Sequence, residues 1–424
     1  MSLPARRVWP FRLAMLVFVI ASVWIGRGLV SSNDGSHIAL ARALAVHHTA
    51  SIDDDVALTL WIDRAERDGH HYSDRPPGTA FAAIPAIWIG AQLDARLRDK
   101  AIEAGELLVT PAADRYGTTY VARARKHGRA PALVQYQGTA LMAELQAALM
   151  GLLGLVGLER WLRYEQFDRG ARGVAVVTVA VATLWGPYST TLFAHVTAGA
   201  FWCAMLLASA AAKERGHIAW VLAGTCAAWA VACDYVLAVP IAIQLVLLVP
   251  RRQLVTVGLG ALPIVLATAV YHHAAFGAWW SIGYDHHASF DFARTRTDTF
   301  SGNPITGLWT LIGLGHDAGL AAQSPIALLG VAGLVAAKRW REGLALVPWV
   351  LLLAMHQTPQ GGATMDHRYL VPAVPLLGLG FAHAWQRWAT SVHGMRKSVV
   401  AMCTLLFALS AISAWAHFFA WRDG

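Results

Sequence analysis

Five short constellations in this sequence combine residue types that could do chemistry. Ser31-Ser32-Asn33-Asp34-Gly35-Ser36-His37 places a carboxylate just before a helical pattern over 36–48. Asp34 can be a reactive group there or part of a helix cap, since Asn, Asp and Ser all cap well. Asn33 and Gly35 give the backbone freedom to aim it. Asp68-Gly69-His70-His71-Tyr72-Ser73-Asp74-Arg75-Pro76-Pro77-Gly78-Thr79 opens on a turn signal, and its Pro-Pro-Gly stiffens the entry to an apolar stretch over 80–90. Arg75 is thus held at a membrane interface, where a guanidinium can bind a lipid phosphate through two parallel hydrogen bonds. A snorkelling arginine is the plainer reading.

The third constellation is Gly361-Gly362 followed by Asp366-His367-Arg368-Tyr369-Leu370-Val371-Pro372 and Pro375, a cation at the mouth of a proline-kinked apolar segment. The fourth is Tyr188-Ser189-Thr190-Thr191-Leu192-Phe193-Ala194-His195. The fifth is Asp234-Tyr235, an ionisable pair inside an apolar run, where burying a charge costs at least a few kcal/mol. Asp53, Asp54 and Asp55 form a competing acidic cluster, better suited to a solvated turn or a cation site than to one tuned base.

Together, and in this order, these runs resemble bacterial GT-C glycosyltransferases related to the protein O-mannosyltransferases and the aminoarabinose transferases of lipid A. The likeness rests on Asn33-Asp34-Gly35-Ser36, the Tyr-Ser-Asp-Arg-Pro-Pro-Gly of 72–78, the Thr-Leu-Phe-Ala-His of 191–195, Asp234-Tyr235 and the motif over 361–375. It runs from the first apolar span to about residue 380, with 100–133 standing apart as an insertion.

The resemblance implies a polyprenyl-phosphate-linked sugar as donor and a glycan, lipid or protein acceptor met at the outer face. It makes Asp34 the acidic residue of the first outer loop and Arg75 the cation before Pro-Pro, where relatives usually carry lysine. The chemistry suits these residues. Asp34 can serve as general base, while Arg75 and Arg368 can hold the departing lipid phosphate, where negative charge develops. Direct attack on the anomeric carbon would invert its configuration. Asp74, Tyr72, His195, Asp234, Tyr369 and His367 are the candidates for contacting substrate.

The elements that must carry these residues are membrane spans. The chain of 424 residues is 56% hydrophobic and 14% charged, against roughly 25% charged in an ordinary soluble domain. Apolar runs near 11–30, 134–158, 171–191, 196–212, 218–234, 236–250, 254–271, 324–337, 343–356, 369–385 and 398–416 approach the length a spanning helix needs. The net charge of +8 is distributed between these runs rather than in one patch, which argues against nucleic acid as a partner. Arg6, Arg7 and Arg12 precede the first run without a convincing cleavage site, as expected of an uncleaved first helix. Cys203, Cys226, Cys233 and Cys403 all fall in apolar runs and read as small apolar residues.

Positive-inside bias sets the orientation. With the N-terminus inside, Arg160, Arg163, Arg169 and Arg172, the pair Arg251 and Arg252, and Lys338, Arg339 and Arg341 all become cytoplasmic. The expected fold is an all-α polytopic membrane protein, a GT-C-like bundle of about 11 transmembrane helices in one domain over 1–424. Its long outer loop, 31–133, would carry interfacial helices, one near 79–95, and a second outer loop would cover 272–323. The expected location is the bacterial cytoplasmic membrane, with the active site facing outward.

Histidines such as His37, His272, His287 and His316 could ligate a divalent metal, but their spacing fits no standard pattern, so neither metal nor cofactor is favoured. The main rival function is a transporter or flippase of a lipid-linked glycan. Transporters often show internal repeats and midplane sites, whereas here no duplication is visible and the polar residues gather on one face. A non-catalytic scaffold would leave Asp34, Arg75 and Arg368 unexplained.

Overall fold

The computed structural model describes residues 9–26, 29–103, 136–314, 319–362, 366–389 and 393–423. Arg6, Arg7, His316 and most of the insertion-like segment 100–133 lie outside them. The described chain is built mainly of apolar helices, which begin and end where the sequence supplies caps, glycine or proline.

Helix α1 covers Trp9–Ile25. Next come α2 over Ser32–Arg42, extended by a π turn, a 3₁₀ turn over Asp53–Thr59, and strands β1 (Ala65–Arg67) and β2 (His70–Tyr72). Helix α3 spans Gly78–Glu103 with Pro85 inside it, longer than the expected interfacial stretch. Then come α4 (Gln137–Tyr164), α5 (Arg169–Val181), α6 (Ala194–Arg215), α7 (His217–Cys233), α8 (Ala238–Leu248) and α9 (Leu254–Phe276). The last four are α10 (Ile326–Ala336), α11 (Leu346–Ala354), α12 (Val374–Ala389) and α13 (His393–Asp423).

Among the described residues, four stretches are long and apolar enough to cross a membrane by length and composition: Gln137–Tyr164, Ala194–Ala212, Arg251–Phe276 and Val400–Trp421. Shorter apolar helices cover Leu13–Ile25, His217–Cys233, Tyr235–Leu248 and Ile326–Ala336. Helix α9 leaves Leu259, Leu262, Val265 and Leu266 exposed, and α13 does the same with Leu405, Leu409 and Ile412. Apolar surface on that scale is stable against lipid rather than water.

Two cores hold the molecule together. The larger joins the helices through Trp161, Trp185, Trp202, Trp349 and Phe381. The smaller packs α2, the 3₁₀ turn and α3, through Ile38, Leu40, Ile52, Leu58 and Ala83, against Tyr271 and Phe276 of α9. At the other end, Arg339 pairs with Glu165 at 2.6 Å and with Glu342, tying the 165–168 and 338–342 loops together.

The fold is all-α apart from one short hairpin, in which β1 and β2 pair antiparallel and Asp68 (φ 53°) and Gly69 (φ 80°) form the two-residue turn. Two expectations change. Gly35 does not loosen the backbone around Asp34. It is helical, and a Cβ there would stand 1.8 Å from the Leu58 carbonyl oxygen, so its small size lets α2 press against the 3₁₀ turn. Asp55 is not solvated either. It is buried, 3.0 Å from Arg42 Nε and accepting from the Tyr136 hydroxyl at 2.9 Å.

Candidate active site

The constellations that lie far apart in the chain come together around one cavity of about 740 Å³. Ser31, Ser32 and Asn33 at the start of α2 form part of its wall, and Asp74, Arg75 and Pro76 form another. Backbone packing brings these walls to the helices. A Cβ on Gly78 would meet the Ala232 carbonyl carbon at 2.5 Å, so the start of α3 sits directly on the end of α7, and Arg75 and Asp234 line the same cavity. Ser36 on α2 donates to Asp74 at 3.0 Å, and Thr191 donates to Asp34 at 3.4 Å. Across the bundle, the buried Tyr188 hydroxyl donates to Asp366, while His195 packs edge-on against Tyr369 with ring centroids 5.7 Å apart.

Both arginines line this cavity. Arg75 is gripped by Asp63 at 2.7 Å and stands 3.3 Å from Asp74. Arg368 lies over the rings of Phe193 and Tyr369, at 5.6 and 5.5 Å, a placement that suits a weakly hydrated planar cation. Burial opposes charge on Asp74, but Arg75 and His287 outweigh it and hold the carboxyl down to about 2. His287 Nδ1 accepts the backbone N–H groups of Ser289 and Phe290, both at 3.1 Å, which leaves its proton on Nε2, 3.4 Å from Asp74.

Asp34 is placed differently. It is fully buried and is not among the cavity-lining residues. It occupies the third position of α2 in a capping box with Ser31, accepting from Val30 N, Ser31 N and Ser31 Oγ, each at 2.8 Å. Burial pushes its carboxyl up to about 6 in spite of those donors. Asp234 does line the cavity and keeps 18% of its side chain exposed. One of its oxygens accepts from Val236 N at 3.2 Å, and the other stands 4.0 Å from His195 Nδ1.

Asp74, Arg75, His195, Asp234, Arg368 and Tyr369 therefore share one cavity, whereas Tyr72 and His367 stand behind its walls. Tyr72 packs edge-on against Phe276 at 5.6 Å, in the smaller core. Asp63, the partner of Arg75, lies in no motif. Its only sequence signal is the need of a partly buried cation for a counter-charge. Tyr284, His287 and Phe292, in the segment after α9, also line the cavity, brought there because Gly283 lies directly on Asp74.

Asp63, Asp74 and His287 offer ligand atoms within 4.8 Å of one another, the spacing of a cation site. Their surroundings fit an ion-pair set better. Arg75 lies against both carboxylates, and His287 turns a proton toward Asp74.

The fold and cavity define a helical protein with several stretches long and apolar enough to cross a membrane. No protein-family model matches the chain, and no curated protein matches it at a significant level. Among solved structures its fold is similar to that of ArnT from Cupriavidus metallidurans bound to undecaprenyl phosphate. The TM-score is 0.54 at 13% identity, covering 98% of this chain and 76% of that one. ArnT is a lipid A aminoarabinose transferase of the GT-C class, so the likeness read from the motifs holds at the level of fold.

Proposed function

We propose that this protein is a glycosyltransferase that moves a sugar from a polyprenyl-phosphate carrier to a glycan, lipid or protein acceptor at the outer face of the cytoplasmic membrane. The observation that carries this reading is the convergence of Arg75 and Arg368 on one cavity whose other walls include Val236, Val239, Leu352 and Leu353. Two guanidiniums beside an apolar surface suit a phosphate joined to a prenyl chain. The fold neighbour's own ligand, undecaprenyl phosphate, adds support. The outward orientation is supported by the charge bias of the short loops, and by Arg339 and Glu165 drawing two of those loops together away from the cavity.

In the reaction, an acceptor hydroxyl attacks the anomeric carbon as the bond from that carbon to the phosphate oxygen breaks. The bonding electrons leave with the phosphate, where Arg75 and Arg368 stabilise the developing charge. The acceptor's proton passes to a carboxylate, and the anomeric centre inverts. We assign that proton to Asp234, whose Oδ2 faces the cavity without a hydrogen bond. Asp34 is the second reading, since burial raises its carboxyl to about 6, toward the range a base needs at neutral pH. Using it would require the first turn of α2 to open. Asp74, His195 and Tyr369 are placed to contact substrate, and no metal enters the scheme.

The test is to incubate purified protein with polyprenyl-phosphate sugars and candidate acceptors and to follow release of polyprenyl phosphate. Acceptor-dependent release that Arg75→Ala abolishes supports the transferase. Movement of intact lipid-linked sugar across vesicles, with no release, would favour the transporter.

A further inference from the structure

Two buried imidazoles face the cavity without settled partners. His37, on α2, is 1% exposed, lines the cavity, and neither ring nitrogen makes a hydrogen bond. His195, at the start of α6, is 6% exposed, lines the same cavity, and its Nδ1 is without a partner. The nearest acid to that nitrogen is Asp234, at 4.0 Å, beyond hydrogen-bond reach. Buried polar groups are nearly always hydrogen-bonded, and leaving one unmade costs about 1–3 kcal/mol. Two such orphans on one cavity are the mark of groups kept for a ligand.

We propose that His37 and His195, with Asp234 beside them, form the subsite for the hydroxyl groups of the sugar carried on the donor. This inference rests on the transferase reading above. Burial, reinforced by the positive charge of Arg75, pushes the His37 imidazole down to about 3, so it stays neutral at physiological pH. A neutral imidazole offers one donor and one acceptor, and a sugar hydroxyl both donates and accepts. The phosphate's charge is already met by the two arginines. The sugar is bonded to that phosphate, so its ring must lie next to Arg75, where His37 stands.

The experiment measures binding of two lipids to purified protein, polyprenyl phosphate alone and the same carrier bearing a neutral hexose or pentose. His37→Ala and His195→Ala should each weaken binding of the sugar-bearing lipid roughly tenfold and leave the bare carrier unchanged. His37→Asn and His195→Asn, which keep a donor and an acceptor, should recover part of the loss and cover the case in which an alanine variant fails to fold. Equal losses for both lipids would assign the histidines to the phosphate site or to packing and overturn the subsite. Unchanged binding of the sugar-bearing lipid would overturn it as well. If the wild type binds neither lipid, the transferase reading fails first and the subsite fails with it.

Discussion

Arg75 Nη2 lies 2.7 Å from Asp63 Oδ1, joining the two sides of the short hairpin that separates them in sequence. The pair holds the guanidinium on the cavity wall before any phosphate arrives, with its other edge 3.3 Å from Asp74. Arg75→Ala should lower kcat/KM by about 10²–10³-fold. Arg75→Lys keeps the charge but loses the forked geometry, so it should cost about tenfold. Steady-state kinetics on purified variants check both. Equal loss in the two variants would mean that charge alone is not what the site uses.

Arg368 depends on aromatic support as well as charge. Its guanidinium lies 5.5 Å from the Tyr369 ring and 5.6 Å from that of Phe193. Tyr369→Leu should weaken binding of bare polyprenyl phosphate by several-fold, since a partly desolvated cation–π contact contributes about 1–2 kcal/mol. Arg368→Ala should weaken it further. Wild-type affinity in Arg368→Ala would remove this residue from the phosphate site.

Asp34→Asn and Asp234→Asn separate the two carboxylates. Asp234→Asn should express normally and lose about 10²–10⁴-fold in turnover. Asp34→Asn should retain turnover within several-fold and lose about 1–3 kcal/mol of stability, because one amide cannot accept all the donors that the carboxylate meets. The reverse pattern of turnover would transfer the base to Asp34.

The pH dependence of stability gives a second handle on Asp34. Its folded-state carboxyl is raised from 3.8 to about 6, so the folded state binds this proton more tightly than the unfolded one. That stabilises the fold below about pH 4, and the contribution, roughly 3 kcal/mol, is lost as pH rises through about 6. The Asp74 shift has the opposite sign and acts between about pH 4 and pH 2. The wild type should therefore fall in Tm relative to Asp34→Asn between pH 4 and pH 7. A constant difference across that window would show that Asp34 does not titrate there.

Orientation can be read by cysteine labelling in intact cells. Arg169→Cys, at the start of α5, should be protected from an impermeant maleimide, and Asp291→Cys, in the segment between α9 and α10, should react. Both positions are exposed in the fold, so a reversed pattern would overturn the outward placement of the cavity.

Much of the helix layout was legible because it depends on composition along the chain. The apolar run 218–234 became His217–Cys233, and 254–271 became Leu254–Phe276, since about 20 consecutive apolar residues have no other stable arrangement in lipid. The turn at Asp68-Gly69 was legible for a local reason too, as positive φ at both positions favours those residue types.

Which carboxylate faces the cavity was not legible, because local signals say the same of all of them. Asp34 and Asp234 are each acids beside apolar runs, and only packing separates them: one is consumed by the capping box of its own helix, the other turns an oxygen into the cavity. Asp63 lies in no motif and His37 is only the last residue of one, and their roles arise from Arg75 lying beside them in space. The sequence by itself determined the long apolar helices and the motif residues that approach one another, through hydrophobicity and chain-local geometry. The tertiary structure alone decided which groups meet across the cavity and which are buried behind it, because those contacts join residues far apart in the chain and their energies depend on neighbours that no local pattern names.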